Sequence, residues 1–146
     1  MCDKVMKNIH KKIVIADDDP DDRNLASIVF KELNLIHIVD FVTDGQELID
    51  SLTKKVNSKS ALPDVVLLDL NMPKKDGRTA LKEIKSNPGL QHLNVIIFST
   101  SSSDEDKKYT LALGAINYII KPSGYNELVS VFKSICEEFF VTTSIN

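Results

Sequence analysis

"KIVIADDDPDDRN", residues 12–24, runs four apolar residues, Ile13 to Ala16, straight into Asp17, Asp18 and Asp19, with Asp21 and Asp22 behind Pro20. A short apolar run closed by polar residues reads as a strand buried on both faces, as in a parallel sheet sandwiched between helices. Carboxylates crowded at the end of such a strand repel one another and lose solvation. Their presence asks for a chemical reason.

The pattern extends along the chain. Short β-branched runs, Lys12 to Ala16, His37 to Val42, Asp64 to Leu68, Asn94 to Ser99 and Asn117 to Ile120, alternate with longer amphipathic stretches. That alternation predicts βα units closing a doubly wound α/β fold with a parallel five-stranded sheet. Asp19 and Pro20 supply an N-cap and N1 proline for a first helix to about Leu33, and Thr43 or Asp44 caps a second, with Gln46 and Glu47 placed for a capping box. Gly77 opens a third helix that "NPG" (87–89) stops, Ser103 caps a fourth with acids in its first turn, and a fifth begins near Tyr125 and ends near Phe140. The expected organisation is one domain over residues 11–141, with an N-terminal extension, 1–10, and a short C-terminal tail, 142–146.

Bulk properties narrow the function. With 146 residues, 27% charged side chains and a formal charge of -3, the chain has no general attraction for nucleic acid or anionic lipid. It shows neither a secretory h-region nor an apolar run of membrane-spanning length, so a cytoplasmic location is expected. Cys2 and Cys136 lack metal or redox spacing, and Cys136 reads as a small core residue. His10, His37 and His92 are scattered without ligand-like spacing.

In an open α/β sheet the ligand site lies beyond the carboxyl ends of the strands. The residues there are Asp17 and Asp18, Asp69, Ser99 and Thr100, and Lys121 with Pro122. Three carboxylates held together call for a cation, and all-oxygen ligation with room for water and phosphate suits Mg²⁺. Asp69, closing "VVLL", is placed to attack a phosphoryl group and hold it as an acyl phosphate, with Lys121 offsetting the charge and Ser99 donating a hydrogen bond. Asp19, Asp21 and Asp22 are expected to serve free helix amides or face water.

With those residues in place the chain resembles the receiver domain of two-component response regulators. The matching motifs are Asp17 and Asp18, "LLDLNMPKKDG" around Asp69, Ser99, and "YIIKP" ending in Lys121 and Pro122, in order over about residues 11–140. The resemblance implies a flavodoxin-like fold with strand order 2-1-3-4-5 and a non-enzymatic signalling role. Asp69 would be the phosphoacceptor, served by a sensor histidine kinase or histidine phosphotransfer protein. Mg²⁺ would be bound by Asp18, Asp69 and the backbone carbonyl of Asn71, with Asp17 acting through water. It further implies that Ser99 and Tyr118 form the switch and that the Lys121–Pro122 bond is cis. Among receivers the chain looks most like stand-alone members, including those that partner bacterial phytochrome kinases. Output would then run through a docked protein target, on the face of the fourth helix, fifth strand and fifth helix around Tyr118 and Tyr125. A homodimer is permitted but not required.

Departures from the family pattern are Thr100, where a smaller residue is usual, and Ser123, where phenylalanine is common; Asn71 and Ser101 occupy positions that bear on dephosphorylation. Among rivals, a haloacid dehalogenase-type phosphatase needs an acid two residues after its nucleophile, where this chain has Asn71. A flavin binder needs its hydroxyl-rich loop after the first strand, where this chain has acids. A phosphorylation-independent binding module on the same fold is the alternative that remains, and the intact set of five site residues weighs against it.

Overall fold

A computed structural model describes residues 11–140. Residues 1–10 and 141–146 lie outside the described residues, and with them the N-terminal extension, the C-terminal tail, Cys2 and His10. The strands are β1 (Ile13–Ala16), β2 (Val39–Val42), β3 (Val65–Leu68), β4 (Val95–Ser99) and β5 (Asn117–Ile120), and the helices α1 (Pro20–Glu32), α2 (Gly45–Asn57), α3 (Gly77–Ser86), α4 (Asp104–Leu113) and α5 (Tyr125–Phe140). All pairings are parallel, in the order β2-β1-β3-β4-β5, the flavodoxin-like order.

Period-two alternation divides each central strand between two cores. Ile13, Ile15, Val65, Leu67, Ile96 and Phe98 face one side, where Val29 and Phe30 of α1 and Phe132, Ile135 and Cys136 of α5 cover them. Val14, Ala16, Val66, Leu68, Val95 and Ile97 face the other, under Leu48 and Leu52 of α2 and Leu81 and Ile84 of α3. Strands buried on both faces must be apolar throughout, which is why "IVIA", "VVLL" and "VIIF" carry no charge.

Helix starts follow their caps. The side chains of Asp19, Asp44, Asp76 and Ser103 accept from backbone amides two or three residues on. Glu47 returns its carboxylate to the Thr43 amide, so the capping pair expected around Thr43 and Asp44 forms with Glu47. One expected boundary shifts: Ile36–Ile38 form a 3-10 turn, and β2 begins at Val39 rather than His37. The turn buries Ile38 while the His37 carbonyl takes a hydrogen bond from Lys12 Nζ, which satisfies the segment without sheet pairing.

Helix α4 differs from its neighbours. Of its residues only Thr110 is buried, whereas Tyr109 and Leu111 are exposed. It ends at Gly114, whose φ of 115° is left-handed backbone that a side chain would strain.

Candidate functional site

Parallel ladders bring the strand ends together. The amide of Asp17 donates to the Val42 carbonyl and that of Asp69 to the Ala16 carbonyl, so the two acids stand side by side, one residue past β1 and β3. The Lys121 amide donates to the Ser99 carbonyl at 2.8 Å, placing the ends of β4 and β5 in register beside them. Asp17 and Asp69 are buried, at 3% and 7% exposure, and Ser99 is buried completely; Asp18 is open to water.

Lys121 Nζ lies 2.7 Å from Asp17 Oδ2, 3.1 Å from Asp69 Oδ2 and 2.9 Å from Asp22 Oδ2. An ammonium has three protons, and here each has a carboxylate partner. Burial works against the lysine charge. The hydrogen bonds to Asp17 and Asp22 and the field of Asp69 outweigh it, so Lys121 titrates above its ordinary value of 10.5. Burial pushes the Asp17 carboxyl above 3.8, against the pull of Lys121 and of the Asp19 amide, and the Asp69 charge adds to the rise.

Oxygens of Asp17, Asp18 and Asp69 all lie within 4.8 Å of one another. The donors are hard carboxylate oxygens, two of them buried and one facing solvent that can complete a shell with water, so the set fits a divalent cation of the Mg²⁺ or Mn²⁺ kind. The Asn71 amide donates to Asp69 Oδ1 at 3.3 Å, which sets Asn71 beside this group; its side chain is exposed.

The hydroxyl end of the site is wired to the β4–α4 loop. Ser99 Oγ accepts from the Ser101 amide at 3.3 Å, and Tyr118 Oη donates to the Ser101 carbonyl at 2.8 Å. Ser101 Oγ donates to Asp106 Oδ2, and that carboxylate is gripped by Arg78 through two 2.7 Å hydrogen bonds. Ser99 and Tyr118 therefore share one intermediary, Ser101. Thr100 is exposed and lines a cavity next to Lys121.

Two expectations are corrected. The Lys121–Pro122 bond is trans, as no cis peptide occurs among the described residues; the trans form is the lower in energy for X-Pro by about 0.5–1 kcal/mol, and Lys121 reaches all three acids from it. Asp22, expected to serve helix amides or face water with Asp19 and Asp21, instead pairs with Lys121. The reason is local. An acid at the third helical position ordinarily serves the N-cap amide, but the Asp19 amide already donates to Asp17 Oδ1, which leaves Asp22 to the lysine. Asp19 does cap α1, accepting from the Asp21 amide, and Asp21 is exposed.

Comparison with known proteins agrees with the geometry. Residues 13–133 match the family model of the response regulator receiver domain. The chain is 32% identical over 137 residues to response regulator Rcp1 of Synechocystis sp., covering 93% of this chain and 92% of Rcp1. Among solved structures it is similar to the phosphorylated cyanobacterial phytochrome response regulator RcpA, at 36% identity and a TM-score of 0.80, covering 89% of this chain and 94% of that one. It is similar also to the Mn²⁺-bound form of Rcp1, at 29% identity and a TM-score of 0.77, covering 93% and 99%. Those relatives share the parallel sheet whose strand ends gather Asp17, Asp18, Asp69, Ser99 and Lys121 here, and the chain belongs to the response regulator receiver family.

Proposed function

We propose that this chain is a phosphorylation-driven signalling switch whose phosphoacceptor is Asp69. The observation that carries the reading is the placement of a buried Asp69 carboxylate 3.1 Å from the Lys121 ammonium, with the Asp17 and Asp18 carboxylates alongside. In the transfer step an Asp69 oxygen attacks the phosphorus of a phosphohistidine on a kinase or phosphotransfer protein. The new P–O bond makes an acyl phosphate, and the P–N bond breaks with its electron pair going to the imidazole, which takes up a proton. Mg²⁺, held by Asp17, Asp18, Asp69 and the Asn71 carbonyl, would supply positive charge against the phosphoryl oxygens. Lys121 turns a proton toward those oxygens, and Ser99, once its hydroxyl rotates inward, donates to another.

The same wiring supports the switch reading. Inward movement of Ser99 withdraws its Oγ from the Ser101 amide, and Ser101 also carries Tyr118. The loop ahead of α4 thereby receives the new charge as a change in hydrogen bonding. Output falls to the face of α4, β5 and α5, where Tyr109, Leu111, Ile116, Ile120 and Tyr125 are exposed and β5 has one unpaired edge. A histidine kinase of the phytochrome type is the donor class to test first, because RcpA is named as a phytochrome response regulator.

The deciding experiment is incubation with acetyl phosphate and Mg²⁺, with and without EDTA, followed by intact mass measurement. One phosphoryl adduct that needs the metal and is lost in Asp69→Asn, a variant that should fold normally, is the expected result. Labelling of Asp69→Asn at the parent rate would overturn the assignment, and absence of any adduct would leave the phosphorylation-independent binding module as the better reading.

A further inference from the structure

We propose that Asp22 is a positioning residue that anchors Lys121 throughout phosphoryl transfer. The inference rests on the reading of Lys121 as a phosphoryl contact.

Lys121 has three carboxylate partners, and only one can stay constant. Asp69 is the nucleophile, and its charge is consumed when the acyl phosphate forms. Asp17 belongs to the group of oxygens suited to a divalent cation. Asp22 is neither. It sits in the first turn of α1, outside that group, with its Oδ2 2.9 Å from Nζ. When the other two carboxylates turn to metal and phosphorus, Asp22 keeps one ammonium proton, and the remaining two are directed at the phosphoryl oxygens.

The surroundings show why an anchor is needed. A cavity of about 190 Å³ lies beside the lysine, bordered by Leu25, Phe98, Pro122, Ser123 and Phe132 as well as by Asp22 and Lys121. The ammonium lies 5.9 Å from the centre of the Phe98 ring, at the outer limit of cation–π range where the attraction is weak and undirected, and Ser123 is too small to fill the space. A flexible four-carbon stem beside open volume has rotamers to explore. The Asp22 carboxylate, held on a helix whose N-terminus is capped by Asp19, removes them.

A bystander carboxylate makes the opposite forecast. As one more negative charge near an incoming phosphate it would slow the reaction, and its removal would speed it.

The test is a double-mutant cycle on the initial rate of labelling by acetyl phosphate at saturating Mg²⁺, using Asp22→Ala, Lys121→Met and the pair. Asp22→Ala is expected to be slower by about tenfold, short of the roughly hundredfold that a 1 Å misplacement can cost. In the Lys121→Met background the same substitution is expected to change nothing. Faster labelling in Asp22→Ala, or an equal loss in both backgrounds, would overturn the anchor. Asp22→Asn, which keeps the shape and one acceptor oxygen, serves if the alanine variant does not fold, and should label more slowly than the parent by less than about tenfold.

A second readout does not depend on turnover. In the Mg²⁺-loaded protein, where Asp17 and Asp69 turn to the cation, the Lys121 ammonium should give a slowly exchanging ¹⁵N resonance that broadens away in Asp22→Ala; an unchanged resonance would count against anchoring even if rates fell. Parent-rate labelling of Lys121→Met would instead remove the phosphoryl reading of Lys121, and the inference with it.

Discussion

Asp22 and Gly77 show at residue scale how unequally a sequence advertises its contacts. Asp17, Asp18 and Asp69 were legible because a strand end has one direction to face, and the sheet rule says what lies there. Asp22 was not, because a residue in a first helical turn has several amides and open water to choose from. Its partner is 99 positions away. The proline isomer was also beyond the sequence, since local chemistry leaves only about 0.5–1 kcal/mol between the two forms. Gly77 makes a sharper forecast. A Cβ there would sit 2.2 Å from the Asp69 carbonyl oxygen and 2.7 Å from Leu70 Cα, both backbone atoms that cannot swing aside. Gly77→Ala should therefore destabilise the fold by about 1–3 kcal/mol, as overpacking does, and lower the urea midpoint. A midpoint equal to that of the parent would mean that the loop after Asp69 yields without cost.

Among the helices, α4 has the least apolar attachment. With Thr110 its only buried residue, it is held at its start by the Arg78–Asp106 pair and the Ser103 cap. Sequence patterning located α4 from its cap and acidic first turn but was blind to Arg78, 28 residues earlier, because ion pairs between helices leave no periodic trace. Hydrogen bonds from Arg78, and after them from Ser101, hold the Asp106 carboxyl below 3.8 against the effect of burial. The unfolded chain therefore takes up this proton first as the pH falls. Stabilisation by the pair is complete above about 3.8 and is lost as pH drops through the lower folded value. Asp106→Asn should cost about 1 kcal/mol at neutral pH, the upper end for a partly exposed pair, and progressively less below that boundary. Urea midpoints of the two proteins across pH should converge in acid; a constant gap would show that Asp106 acts through shape rather than charge.

For the whole molecule, alternation of buried strands and amphipathic helices made the architecture legible. A parallel sheet covered on both faces imposes apolar strands that few other folds require. The late start of β2 escaped that logic, since Ile36–Ile38 bury the same side chain as a 3-10 turn that a strand would bury. The finished molecule carries an electrostatic imbalance at one edge, where the carboxylates of Asp17, Asp18, Asp22 and Asp69 outnumber the Lys121 ammonium, which three of them hold, and the Arg23 guanidinium, which donates to the Asp17 carbonyl. A divalent cation would relieve that strain in the folded chain, and in the unfolded one it would not find Asp69 beside Asp17 and Asp18. At a concentration ten times its dissociation constant, Mg²⁺ should add about 1.4 kcal/mol of stability. For a chain of this size that raises the melting temperature by roughly 3–6 °C. Asp18→Asn should abolish most of the gain. A melting temperature indifferent to Mg²⁺ in the parent would argue that the acids do not form a cation site.

The Tyr118 hydroxyl bonded to the Ser101 carbonyl puts one of the protein's few strong near-ultraviolet chromophores on the loop ahead of α4. The chain has three tyrosines and no tryptophan, and the tyrosines fall on α4, β5 and α5: Tyr109 exposed, Tyr118 tied to the loop ahead of α4, Tyr125 tied to Glu32. Near-ultraviolet absorption and emission therefore come almost wholly from one flank of the molecule. The rest contributes only the weaker, shorter-wavelength bands of its phenylalanines, so a rearrangement of that flank can be followed through tyrosine without attaching any dye.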